Sequence, residues 1–186
     1  MEGLLLAAGA GRRMGLPKAL VHDDTGSWLV RGISNLRDGG CTRVTVVLGA
    51  DAERAGSIVE NLEVNVVVAD DWADGMGASL RAGLDALAES TDTAVVVSLV
   101  DLPDLVPEVV ARVIAAVPPG PAGLARATYD GRPGHPVLLG RDHWAGVAET
   151  AVGDQGARTY LASRDVTSVE CGDLATGRDV DSQVGR

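Results

Sequence analysis

A chain of 186 residues, 46% of them hydrophobic, is long enough to bury a sizeable core and short enough to form one domain over residues 1–186. Sixteen basic against 26 acidic residues give a net charge of -10, which excludes a general nucleic-acid-binding surface or an anionic-membrane surface. Phe is absent, so Ala, Val and Leu have to close the core by interdigitating at short range.

The first apolar run, Gly3 to Ala7, reads as a buried strand that empties into Ala8-Gly9-Ala10-Gly11-Arg12-Arg13-Met14-Gly15-Leu16-Pro17-Lys18. Glycine backbones let successive N–H groups converge on phosphate oxygens, and the three cations supply the charge a polyphosphate demands. Lys18 is the sole lysine of the chain, which makes its place in this loop pointed. Two familiar loops do not fit. Gly9, Gly11 and Gly15 are spaced G-x-G-x-x-x-G rather than G-x-G-x-x-G, and Lys18 stands three residues after Gly15 and precedes Ala19 rather than a hydroxyl. The alternative is a solvated turn in a chain that has 24 glycines.

Further along, Trp28 to Arg37 has helical periodicity and is stopped by Gly39-Gly40. A strand over Val44 to Leu48, a helix over Ala52 to Leu62 and a strand over Val64 to Ala69 follow. The segment Asp70 to Gly83 bends through glycines into a helix over Ser79 to Ala88, with Ser79 as its cap and Leu80, Leu84 and Leu87 on one face. Its small residues leave room for a base or a pterin. The strand Ala94 to Val100 delivers Asp101 at its carboxyl end, where a magnesium ion would find a carboxylate ligand. Asp104 reads instead as a cap or turn residue ahead of Pro107 and a helix over Val109 to Val117.

Beyond Pro118-Pro119-Gly120-Pro121, strands over Leu124 to Tyr129 and Val137 to Leu139 flank the turn-forming Asp130-Gly131-Arg132-Pro133-Gly134, as a small β insertion folding over the carboxyl edge of the sheet. A helix near Ala157 to Ser163, a strand near Val166 to Glu170 and an acidic tail end the chain. In the tail, Asp179-Val180-Asp181 would place both carboxylates on one side of an extended segment, a candidate second metal ligand. Continuous apolar strands alternating with helices imply an α/β domain of three layers, Rossmann-like, with a mostly parallel central sheet covered on both faces. Cys41 and Cys171 have no metal-ligand spacing and read as free buried thiols, and neither a signal peptide nor a membrane span is apparent, so the expected location is cytoplasmic.

These residues resemble the molybdenum cofactor nucleotidyltransferases, MobA-like NTP transferases, and among them the cytidylyltransferase branch. The likeness rests on Leu6-Ala7-Ala8-Gly9 through Arg13-Met14-Gly15 and Pro17-Lys18, then Trp72 to Gly83, Asp101-x-Pro103, Gly134-His135-Pro136-Val137 and Gly153-Asp154-Gln155-Gly156-Ala157-Arg158, in family order. The resemblance implies transfer of a nucleoside monophosphate to the terminal phosphate of a molybdopterin, with release of pyrophosphate. Ala8-Gly9 and Pro17-Lys18 match the branch that uses CTP. Asp101 and Asp181 would hold Mg2+, and Arg13, Lys18 and Asp101 would be catalytic. Leu6, Ala7, Ala8, Gly9, Ala10, Gly11, Arg13, Lys18, Gly77 and Ser79 would line the nucleotide, with His135 and Arg158 on the acceptor side. A molybdoenzyme or its chaperone is the protein partner this implies. The chain departs from the family after Asp181, where Ser182-Gln183 replaces Thr-Pro, and at Val100, where glycine is common. A guanylyl- or sugar-phosphate nucleotidyltransferase, or a non-catalytic cofactor-binding maturation factor, are the competing readings.

Overall fold

The computed structural model describes residues 1–180; Asp181 lies outside them. In chain order the elements are β1 (Glu2–Ala7), β2 (His22–Asp23), β3 (Gly26–Ser27), α1 (Trp28–Asp38), β4 (Arg43–Leu48), α2 (Ala52–Val59), β5 (Asn65–Val68), α3 (Met76–Ala86), β6 (Ala94–Leu99), α4 (Pro107–Ala115), β7 (Leu124–Tyr129), β8 (Arg132–Gly140), α5 (Trp144–Thr150), α6 (Arg158–Leu161) and β9 (Thr167–Glu170). Seven strands form one sheet in the order β5-β4-β1-β6-β8-β7-β9, and β2 and β3 pair separately. The pairs β5 with β4, β4 with β1, β1 with β6 and β7 with β9 are parallel; β8 is antiparallel to both neighbours.

The three layers follow from the two-residue period of the strands. Leu5 and Ala7 of β1 join Val44 and Val46 in the core under α1, α2 and α4, while Leu4 and Leu6 join Val47, Val95 and Val97 under α3 and α5. Local chemistry sets the helix ends. The Ser27 hydroxyl accepts from the N–H of Val30 to start α1, Gly40 at φ +114° turns the chain away from its end, and Pro107 opens α4 where a missing N–H costs nothing.

Several expected boundaries move. Helix α3 begins at Met76, so Ser79 is a buried residue inside it and not its cap. Val106 precedes α4 as its cap residue, and the Asp104 carboxylate serves elsewhere, accepting from Thr176 N and Oγ1 at 2.7 and 2.6 Å. The turn between β7 and β8 is only Asp130-Gly131, both at positive φ, as a two-residue hairpin requires. The hairpin does not fold over the sheet; β8 and β7 extend it sideways from β6, so only their connecting end stands at the carboxyl edge. Helix α5 has no counterpart in the sequence reading. Strand β5, expected to be covered on both faces, is the sheet's edge, with Val66 and Val68 exposed.

The first turn of α3 packs against the backbone of the segment that follows α5. A Cβ on Gly77 would lie 2.6 Å from the carbonyl oxygen of Ala151, a contact that only a backbone shift could relieve. Gly77→Ala is expected to lower stability by about 1–3 kcal/mol in urea unfolding.

Candidate active site at the carboxyl edge of the sheet

The parallel register of β1 with β6, Leu6 opposite Leu99, brings the ends of the two strands side by side. The chain leaving β1 turns back at Gly11, whose carbonyl accepts from the N–H groups of Met14 and Gly15. Gly11 adopts φ +56°, and a Cβ there would lie 2.0 Å from the Leu16 carbonyl oxygen, so only glycine fits. The loop then enters a 3-10 turn over Lys18–Leu20 that aims Lys18 at the end of β6. Its Nζ meets Asp101 Oδ2 at 2.5 Å, with both side chains largely buried.

Around this ion pair lies a cavity of about 520 Å³. Ala8, Gly9, Ala10, Gly11, Arg12 and Arg13 form one wall, Trp72, Gly75, Met76 and Ser79 another, and Asp101 and Asp179 the floor. Asp101 Oδ1 is buried and meets no hydrogen-bond partner. Burial pushes its carboxyl above the usual range, the Lys18 ammonium opposes this, and the Asp179 carboxylate adds to the rise. An unengaged carboxylate oxygen beside a second carboxylate suits a hard divalent cation. A magnesium ion bound by one or two carboxylates can complete its shell with phosphate oxygens and water.

Of the expected nucleotide residues, Leu6, Ala8, Gly9, Ala10, Gly11, Arg13, Lys18 and Ser79 border this cavity together with Asp101. Ala7 points into the core under α1, and Gly77 serves the packing of α3 described above. Arg12, Trp72, Met76, Asp154 and Asp179 also line the cavity. Trp72 lies in the glycine-rich bend, Met76 opens α3 and Asp154 lies in the Gly153 to Arg158 stretch, and nothing in their local sequence marks these side chains for the site.

His135 and Arg158 come together in a second cavity of about 340 Å³, which shares Met76 and Asp154 with the first. A bulge builds its wall: Arg126 of β7 faces Val137 of β8, but Thr128 faces Pro133, so β8 carries two extra residues and Gly134 and His135 line the cavity. Tyr129 holds this bulge, donating from its hydroxyl to the His135 carbonyl at 2.7 Å while its ring leaves no room for a Cβ on Gly134 or Gly177. The same ring thereby seats the tail, whose Val180 N–H donates to the Asp101 carbonyl and carries Asp179 to the floor of the first cavity.

Burial pushes the His135 imidazole down to about 4, against the pull of the Asp179 carboxylate. The side chain is therefore neutral at pH 7 and offers a hydrogen bond rather than a charge. Between about 6.5 and about 4 the unfolded chain binds the proton that the folded chain refuses, so this contribution to stability is full above 6.5 and falls as pH drops through that window. The expected loss is up to about 3 kcal/mol. Urea unfolding at pH 7 and pH 4.5 should show it, and His135→Asn should lose correspondingly less on acidification.

Comparison with known proteins agrees with this geometry. Residues 3–169 match the MobA-like NTP transferase domain. The nicotine blue oxidoreductase of Paenarthrobacter nicotinovorans is 37% identical over 192 residues, spanning 98% of this chain and 92% of that protein. Rv0371c of Mycobacterium tuberculosis, solved in complex with manganese, superposes with a TM-score of 0.77 at 26% identity over 96% of this chain and 92% of that one. A nucleotidyl transferase from Methanothermobacter shares the fold at a TM-score of 0.82 and 19% identity, over 97% of this chain and 91% of that one. With a triphosphate-sized cavity built on the loop after β1 and a carboxylate at the end of β6, the chain belongs to the MobA-like NTP transferase family and is a nucleotidyltransferase.

Proposed function

We propose that the chain transfers CMP from CTP to the terminal phosphate of a molybdopterin-type acceptor, releasing pyrophosphate. The observation that carries this reading is the Lys18–Asp101 pair with an unengaged carboxylate oxygen inside a cavity walled by Arg12, Arg13 and glycine backbone. An oxygen of the acceptor phosphate attacks the α-phosphorus, a phosphoanhydride bond forms, and the bond to the β-phosphate breaks with its electrons leaving on pyrophosphate. The acceptor oxygen is already anionic at neutral pH, so no general base is required. The work left to the protein is positioning and charge neutralisation. Lys18, Arg12 and Arg13 oppose the charge of the triphosphate, and Asp101 with Asp179, and Asp181 two residues on, would hold Mg2+. When bound, that cation would offset charge on the reacting phosphate oxygens.

The second cavity takes the acceptor, with neutral His135 and the Arg158 guanidinium as its polar groups. The choice of CTP is supported by Ala8-Gly9 and Pro17-Lys18, and the molybdopterin by the order of the motifs. The reading includes a cytoplasmic setting, in keeping with two free buried thiols and with the absence, among the described residues, of a helix long and apolar enough to cross a membrane. A molybdoenzyme or its chaperone would receive the product.

Pyrophosphate release from CTP, GTP, ATP and UTP, each with magnesium and molybdopterin and then with sugar phosphates, tests the proposal. CTP with molybdopterin is the expected pair, and turnover only with a sugar phosphate would overturn the acceptor. Asp101→Ala should lower turnover by roughly 10²–10³-fold or more while leaving a folded protein; full activity in that variant would sink the metal role. The Paenarthrobacter relative is named for a redox reaction, which yields no pyrophosphate, so absence of pyrophosphate from every triphosphate would reject nucleotidyl transfer for this chain.

A further inference from the structure

Arg126 has no part in the scheme above, and nothing in its sequence neighbourhood marks it. It stands in β7 between β8 and β9, opposite Val137 and Ser168, where a strand interior is ordinarily apolar. It is partly buried, it lines the second cavity, and its Nε is buried without a hydrogen-bond acceptor. A guanidinium donor kept from water with no acceptor costs free energy. A planar fork of donors in a cavity is suited to an oxyanion, which it grips with two parallel bonds.

The rest of the lining fits the same ligand. Among the described residues that line it, Arg126 and Arg158 supply two positive charges against the carboxylate of Asp154, with the Asp179 carboxylate near enough to act on His135. Pro133, Val137, Leu161 and Met76 offer apolar walls. The lining thus combines cations with apolar side chains, and it shares Met76 and Asp154 with the first cavity.

We propose that Arg126 is the anchoring residue of the acceptor subsite, and that the acceptor of this chain carries an oxyanion, phosphate or carboxylate, on an apolar body that packs between Val137 and Leu161. This rests on the reading that the second cavity takes the acceptor. Arg126 positions the acceptor, so its loss should weaken binding of the acceptor and leave that of the nucleotide alone.

Calorimetric titration of the full chain at pH 7.5 provides the test, with phenyl phosphate, benzoate, benzyl alcohol and inorganic phosphate as probes. Phenyl phosphate should bind more tightly than inorganic phosphate, which lacks the apolar body, and benzyl alcohol, which lacks the anion, should bind weakest. Benzoate binding more tightly than phenyl phosphate would assign the oxyanion as a carboxylate; weaker binding would assign it as a phosphate. Arg126→Met should weaken the preferred anion at least tenfold, Arg126→Lys less, and Arg54→Met, on the exposed side of α2, by less than twofold. Melting curves confirm that the variants are folded, and the lysine variant retains the test if the methionine variant is not. Unchanged affinity in both Arg126 variants overturns the proposal. Pyrophosphate release with Arg126-independent probe binding would reject only the anchor. Arg126-dependent binding without pyrophosphate release from any triphosphate would reject nucleotidyl transfer and keep the subsite.

Discussion

Everything at the site depends on the register between β1 and β6. Two parallel strands that are neighbours in space but about ninety residues apart in sequence end level with each other, Leu6 beside Leu99. The loop that leaves one is thereby obliged to meet the carboxylate that ends the other. Lys18 and Asp101 satisfy each other across that junction at 2.5 Å, in surroundings that give little water to either. A largely buried ion pair between two segments so far apart in sequence is a structural tie as well as a chemical one. The tie is asymmetric: Oδ2 is engaged with Lys18, and Oδ1 is left buried with no hydrogen-bond partner.

A second constraint organises the acceptor side around Tyr129. Its hydroxyl fixes the carbonyl of His135, and its ring rests against Gly134 on one strand and Gly177 in the tail, where side chains would collide with it. One aromatic residue therefore seats the bulge of β8 and the segment that brings Asp179 to the floor of the first cavity. Glycine at those two positions is a matter of space, and at Gly177 also of a backbone with φ +63°. Asp104 completes the arrangement by holding Thr176, so the tail is pinned on both sides of Gly177.

The strands were readable because each is a continuous apolar run bounded by turn residues, and β1, β4 and β6 begin and end within a residue of where periodicity places them. Helix starts were harder. A serine ahead of an apolar face looks like a cap, yet Ser79 lies inside α3 because the turn before it, Met76 to Ala78, is stabilised by packing on Ala151 and not by its own propensity. Helix α5 escaped notice for a related reason. Trp144, Val147 and Ala148 follow a helical spacing, but seven residues make only about two turns, too short a run to set apart from a loop until a core lies beneath them.

The loop after β1, its sole lysine and the aspartate ending β6 were legible in the sequence alone, because a glycine-rich turn with cations and a carboxylate at a strand end are local patterns with local causes. The sequence also determined a three-layer domain around a mostly parallel sheet, since the apolar runs permit little else. Only the tertiary structure decided that the loop and Asp101 meet, that Asp179 is the described tail carboxylate that joins them, and that Arg126, His135 and Arg158 share one cavity. Those are facts of strand order and register, which bring together residues tens of positions apart, and no spacing along the chain encodes them.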